Sequence, residues 1–256
     1  MLPIARTLSW KQASFQASFA LVVISLTCGL LNNQAAAAEA GFEMAGTMSE
    51  ADIPDDIYRE SLARVPQVLR SQLDSDGQSA FDTYVSPGTG YETGLRGPIG
   101  VWMHSPALAE AMFDVRQRVR YGTEKDQRLT ELIIIATARE INNQYEYSAH
   151  EPLAIAAGLE QDIIDVVRFR KPLDDLPQIA GFSETEQTIV QFTRELISED
   201  KVSSETFADA MAIFGREGLV DLVGLIGYYN YVAMTLKAFD VQRPPGTELL
   251  LPLRTN

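Results

Sequence analysis

The stretch from Leu129 to Leu159 (LTELIIIATAREINNQYEYSAHEPLAIAAGL) limits the possible folds more than any other part of the chain. It reads as two helices separated by a polar break at Asn142 and Asn143. A break this short makes the helices antiparallel neighbours. Ile133, Ile134 and Ile135 are consecutive, so the first helix is expected to be buried on most sides. It nevertheless carries a carboxylate, Glu131. The second helix opens with Tyr145, Glu146 and Tyr147 and places His150 one turn after Glu146. Residues three and four apart on a helix are neighbours, so Glu146 and His150 share a face.

The flanking sequence repeats the helical signal. Pro54, Ile57, Leu62 and Val65 suggest a helix, and Pro66 restarts the pattern with Val68, Leu69 and Leu73. Phe81, Tyr84 and Val85 suggest another short helix, followed by a Gly/Pro-rich loop from Ser86 to Gly100. Ser105 and Pro106 read as N-cap and first helical residue of a helix that Gly122 ends. Thr123 with Asp126 can cap the helix that follows, and Gly158 closes its partner. Asp162 to Phe169 is short and amphipathic. Ser183 and Glu186 form a capping box. A further helix opens at Ser203 or Ser204 and ends near Gly215, and Leu219 to Phe239 is apolar almost all round. No convincing strand and no short repeat is found, so the expected class is all-α.

The first forty residues read as a secretory signal. Arg6 and Lys11 form a basic start, Ala17 to Leu31 an apolar run of about fifteen residues, and Ala35 to Ala38 a small-residue cleavage region. The run is shorter than the roughly 20 residues a bilayer span needs, although a retained anchor is the alternative. Leu26 and Thr27 are poor neighbours for a lipidated Cys28. The expected location is periplasmic or secreted, with no membrane association after cleavage. Residues 41–54 read as a flexible lead-in and 55–256 as one domain with its core motif at 105–170. No acidic residue precedes Glu39, so removing Arg6 and Lys11 takes the net charge from −14 to about −16. Such a balance argues against nucleic acid or anionic membranes as partners. Cys28 is the single cysteine, so the mature chain has no thiol for redox chemistry.

A carboxylate beside an imidazole favours the protonated ring and orients it, and such a pair can move protons near neutral pH. Glu131, on the antiparallel neighbour, can reach the same pocket. A structural reading fits the same spacing. Asn143 can be an N-cap with Glu146 at the third helical position, Glu131 can pair with Arg128, and His150 can be a core histidine. Nothing like HExxH is present, so neither a metal nor another cofactor is expected. Trp102, His104, Tyr145, Arg139 and Asn230 are candidate substrate-binding residues, with Tyr147, Tyr228 and Tyr229 as further candidates for the pocket wall. Arg139 can clamp a carboxylate or pair with Glu140.

The segments Leu129 to Arg139, Gln144 to His150, Pro152 to Ala154 and Ala157 to Leu159 resemble the carboxymuconolactone decarboxylase family, whose fold is that of the alkylhydroperoxidase D-like proteins. Gly97, Pro98 and Trp102 to Pro106 upstream are similar to longer members, as are Gly215 to Gly218 and Gly227 to Tyr231 downstream. The resemblance spans roughly residues 97–241. It implies that the two cysteines of the peroxidase branch fall on Asn143 and Glu146, the family histidine on His150, the histidine between the cysteines on Tyr145, and the proton-relay glutamate on Glu131. Thiol peroxidase chemistry is then absent. The decarboxylase branch implies loss of CO2 from a carboxylated unsaturated lactone, with His150 transferring a proton, Glu146 orienting it and Glu131 as a second acid. The expected partner is a small carboxylate, lactone or keto acid, and homo-oligomers are common in the family. A non-catalytic helical oligomer or small-ligand binder is the competing expectation. Convergence of the three residues on an open cavity favours the enzyme.

Overall fold

The computed structural model describes residues 42–174 and 176–254, so the signal expected over residues 1–40 lies outside them. Within residues 44–253 the chain is a bundle of helices. In chain order these are α1 (Ser75–Val85), α2 (Gly97–Trp102), α3 (Pro106–Arg116), α4 (Gln127–Glu140), α5 (Gln144–Ala156), α6 (Gln161–Arg168), α7 (Glu184–Ser198) and α8 (Ser204–Ala238). The described residues also include short strands: β1 (Phe42–Glu43), β2 (Gly46–Thr47), β3 (Glu248–Leu249) and β4 (Leu253–Arg254). Helix α4 is the centre and packs against α5, α7 and α8. Every residue from Thr130 to Arg139 is buried, as the triple isoleucine requires. Each fully buried isoleucine contributes about 1.5–3 kcal/mol relative to leaving it in water.

Two adjacent asparagines make the tight turn between α4 and α5, and each does a different job. Asn142 sits in the left-handed region (φ 53) just past the end of α4. Its N–H reaches Arg139 O at 3.1 Å, and the next N–H, of Asn143, reaches Ala138 O at 2.9 Å. This pair of bonds satisfies carbonyls that the helix end would otherwise leave open. Asn143 then caps α5, its Oδ1 accepting the Glu146 N–H at 2.9 Å. Helix α4 itself is capped by Asp126 alone, whose carboxylate accepts the Leu129 N–H at 2.7 Å. Thr123 takes no part in that cap. The expected capping box at α7 is present, with the Glu186 carboxylate accepting the Ser183 N–H at 2.9 Å.

Two expectations need correction. Residues 54–65 do not form a helix. Ser61 Oγ donates to Val65 O at 2.6 Å and Leu62 takes φ 54, so local side-chain bonding and a left-handed residue displace the helical ladder. Residues 66–73 form only one 3₁₀ turn, Arg70–Gln72. The break expected at Gly215 is present: within α8 two helices meet at a kink there (φ 64, ψ −174), a conformation open essentially to glycine alone. The strand pairs, too short to leave an alternating pattern, went unread. Gly46 and Thr47 pair antiparallel with Leu249 and Glu248. Next to them Met48, Ile53 and Ile57 form a small separate apolar cluster with Leu62 and Leu249. No helix of the described residues is long and apolar enough to cross a membrane.

Candidate active site

Glu131, Glu146 and His150 converge. Helix α4 supplies Glu131, and the first two turns of α5 supply the other two. His150 is 6% exposed and lies between the carboxylates. Its Nδ1 is 2.7 Å from Glu131 Oε2 and its Nε2 is 3.0 Å from Glu146 Oε1. Glu146 therefore does not complete a capping box. Its N–H uses the Asn143 cap, while its carboxylate turns to the histidine. Glu131 has a second cation, but it is Arg120 rather than Arg128: Arg120 Nη2 donates to Glu131 Oε1 at 2.7 Å. Arg128 is occupied by Glu160 and Glu186, both at 2.6 Å. Arg120 Nη1 continues the chain of contacts to the Tyr229 hydroxyl at 2.8 Å, and the Tyr229 ring meets His150 edge-on at 5.1 Å.

The electrostatics follow from this packing. Burial opposes a charged His150, but hydrogen bonds to Glu131 and Glu146 and their negative charges outweigh it and hold the imidazole pKa above its ordinary value. Burial likewise opposes a charged Glu131. The His150 hydrogen bond and charge, with Arg120, reverse this and hold its carboxyl below the usual value. Each ring nitrogen thus faces a carboxylate, an arrangement that favours the charged imidazolium, with a guanidinium behind it.

A cavity of about 450 Å³ opens in front of this centre, a size typical of small-molecule sites. Glu146 and His150 line it, whereas Glu131 stands behind them. The remaining wall includes Tyr145 from α5, Tyr228, Tyr229 and Val232 from α8, and Gly88 to Tyr91 with Arg96 from the Gly/Pro-rich loop. Arg116, at the end of α3, and Arg120, in the π-helical turn Gln117–Tyr121 that follows, complete it. The arginines and the loop residues were missed by sequence reasoning. The available signal was the alternation Arg116, Arg118, Arg120 in an otherwise acidic chain. Burial, above all, pushes the Tyr145 phenol up to about 12, so it stays a neutral hydroxyl across the physiological range.

The other expected binding residues do not meet there. Trp102 is buried behind the wall, donating from Nε1 to Thr235 Oγ1 at 2.8 Å and stacking on Tyr231 at 5.2 Å. His104 is exposed, with Nε2 3.0 Å from Pro66 O. Arg139 is buried near the end of α4 and donates to Asn142 Oδ1 at 3.2 Å, while Glu140 pairs with Arg170. Asn230 lines a different surface cavity, beside Asn143 and Lys237. Tyr147 is fully buried in the core. Among the described residues no group of three or more His, Cys, Asp or Glu side chains has the geometry to hold a metal ion.

Gly97 supports the site from the side. It begins α2 at φ 61, and a Cβ there would lie 2.7 Å from the Tyr145 hydroxyl. Gly97→Ala is expected to displace Tyr145 and to cost about 1–2 kcal/mol from the left-handed backbone alone. Urea unfolding checks the cost, and an unchanged midpoint would show that the backbone relaxes freely.

No protein-family model and no curated protein sequence matches the chain. Among solved structures it is similar to the alkylhydroperoxidase AhpD core of an uncharacterized peroxidase-related protein from Ralstonia eutropha JMP134. That similarity has a TM-score of 0.54 at 14% identity and covers 72% of this chain and 93% of the other. It is also similar to a Cys-to-Ala variant of the debrominase Bmp8 in complex with 2,3,4-tribromopyrrole, with a TM-score of 0.54 at 16% identity over 70% of this chain and 90% of that one. Together with the helix order and the hairpin at its centre, these similarities give the chain the all-α, alkylhydroperoxidase D-like fold.

Proposed function

We propose that the protein is a cofactor-free acid–base enzyme, a lyase that removes CO2 from a small carboxylated lactone or keto acid. One observation carries the reading: His150 has a carboxylate on each ring nitrogen, and only one of the two, Glu146, faces the cavity. Glu131 then positions and charges the ring from behind, and Glu146 with His150 meets the substrate. This reverses the roles that the family resemblance suggested for the two glutamates.

In the proposed reaction the bond between the substrate carbon and its carboxylate breaks. The electron pair moves into the adjoining unsaturated carbonyl system, CO2 leaves, and an enolate remains. The Glu146–His150 pair delivers a proton to the carbon that lost CO2 and is recharged from water. Arginines along the wall lower the energy of the developing negative charge. The small aromatic ring held by the debrominase supports a small-molecule site in this fold. The exposed Val220, Val223 and Met234 of α8 support the homo-oligomer, and the basic start and apolar run of the first forty residues support export.

The test is a screen of carboxylated lactones and keto acids for CO2 release by wild type, His150→Ala and Glu146→Gln. Turnover by wild type that both variants lose is the expected result. Equal activity in all three removes the proposed roles.

A further inference from the structure

The second arginine of the wall, Arg116, is in an unusual position for a buried cation. It is 6% exposed, yet among the described residues no carboxylate lies within ion-pair distance of it. Arg120, its neighbour in the wall, is matched by Glu131 at 2.7 Å. Arg116 donates from Nη2 to Thr89 O at 3.1 Å and to the Tyr121 hydroxyl at 3.2 Å, and its Nη1 has no hydrogen-bond partner. The guanidinium lies over two rings, Tyr91 at 5.7 Å and Tyr121 at 5.2 Å. Ring faces stabilise its flat sides, and of its N–H groups those of Nη1 are left without a partner. A buried charge without a counter-charge costs stability, and a cavity wall is where a ligand can supply the missing partner.

A second cation stands on the same tyrosine. Arg96 lies over the Tyr91 ring at 5.6 Å, and its hydrogen bonds go to Thr93 Oγ1 and Gly90 O, both at 3.2 Å, with no carboxylate. We infer that Arg116 and Arg96, both lying over the Tyr91 ring, form a carboxylate-recognition subsite in the wall of the Glu146–His150 cavity. Arg116 is its specificity-determining residue. A planar guanidinium edge matches a carboxylate with two parallel hydrogen bonds. The Tyr121 hydroxyl, on a ring that is 46% exposed, is the contact that a ligand carboxylate replaces. The tyrosines of the wall then face the unsaturated body of the ligand. This assignment rests on the reading of the cavity as a substrate site, and it names the chemistry of that substrate's anchor: a carboxylate, other than the one lost as CO2, on a flat, unsaturated body.

The test uses binding rather than turnover, so it stands apart from the CO2 screen. Benzoate supplies a carboxylate on a flat ring, and benzamide supplies the same shape without the charge. Calorimetry and thermal melting are run on the full chain as wild type, Arg116→Met and, as a control, Arg118→Gln, whose guanidinium is committed to Asp221 and Glu217 away from the cavity. Wild type and Arg118→Gln are expected to prefer benzoate to benzamide by at least about tenfold, which a bidentate charged contact readily supplies. Arg116→Met is expected to lose that preference while melting no lower than wild type without ligand. Equal binding of benzoate and benzamide by wild type overturns the proposal, as does full benzoate affinity in Arg116→Met. An Arg116→Met chain that melts well below wild type also overturns it, because Arg116 would then be a structural residue.

Discussion

His150→Ala is expected to lower the rate of CO2 release about 10²- to 10⁴-fold, the usual contribution of a positioned proton-transfer group. Glu131→Gln is expected to act differently, because Glu131 does not face the cavity. With the carboxylate gone, the strongest influence holding the His150 pKa up is removed, and the ring titrates at lower pH. The alkaline limb of the rate profile should move down with it, and proton NMR of the His150 ring reads the same shift directly. Stability follows the same linkage. His150, raised above its ordinary 6.5, contributes stability that is fully present below that value and is lost as pH rises through the folded-state pKa. Glu131, lowered from 4.5, contributes stability present above that value and lost as pH falls through its folded-state pKa. Both contributions are therefore complete between about 4.5 and 6.5. Glu131→Gln should flatten the stability profile on both sides of that window. An unchanged His150 titration in Glu131→Gln would show that the contact does not govern the ring.

Glu151→Ala is expected to destabilise the fold by about 3–5 kcal/mol, because it strands a buried guanidinium. Arg168 is 0% exposed, and its Nη2 donates to Glu151 Oε1 at 2.5 Å while Nη1 lies 3.3 Å from Asp165. This pair joins α5, the helix that carries His150, to α6. In a chain of this size the loss corresponds to a fall of roughly 10 °C in melting temperature. The double variant Glu151→Leu, Arg168→Met should recover most of the loss, since an apolar pair of similar volume avoids the desolvation of both ions. Differential scanning calorimetry checks both. A Glu151→Ala chain that melts like wild type would show that water or Asp165 takes over the charge.

The central hairpin was legible because its signals are local. Three consecutive isoleucines require burial, two asparagines mark a turn, and a one-turn spacing sets Glu146 beside His150. Glu131 could be placed near them because a short turn forces antiparallel packing. Its arginine partner could not, since Arg120 reaches it from the π-helical turn after α3 and not from the neighbouring turn of α4. The same limit explains Trp102 and His104. Nearness in sequence to the glycine-rich loop suggested a shared site, but the Trp102 indole is committed to Thr235, far along the chain. Segment 54–65 was misread because its apolar spacing is helical while Ser61 and two bracketing prolines favour local turns. The alternation Arg116, Arg118, Arg120 marks a basic segment in the sequence but does not single out Arg116. What distinguishes it is a missing carboxylate partner, and a missing partner is a property of three-dimensional packing.

The tail following α8 has a consequence for how the site is held. Ser148, between Glu146 and His150, accepts the Leu250 N–H on its hydroxyl at 2.8 Å, and Leu249 beside it is strand-paired with Gly46. The segments at 46–47 and 248–250 are thereby latched to each other and to the turn of helix that carries Glu146 and His150. Fraying of these segments therefore becomes a motion of the helix that carries Glu146 and His150. Tags, truncations and cleavage within residues 248–253 belong among the perturbations of the site itself.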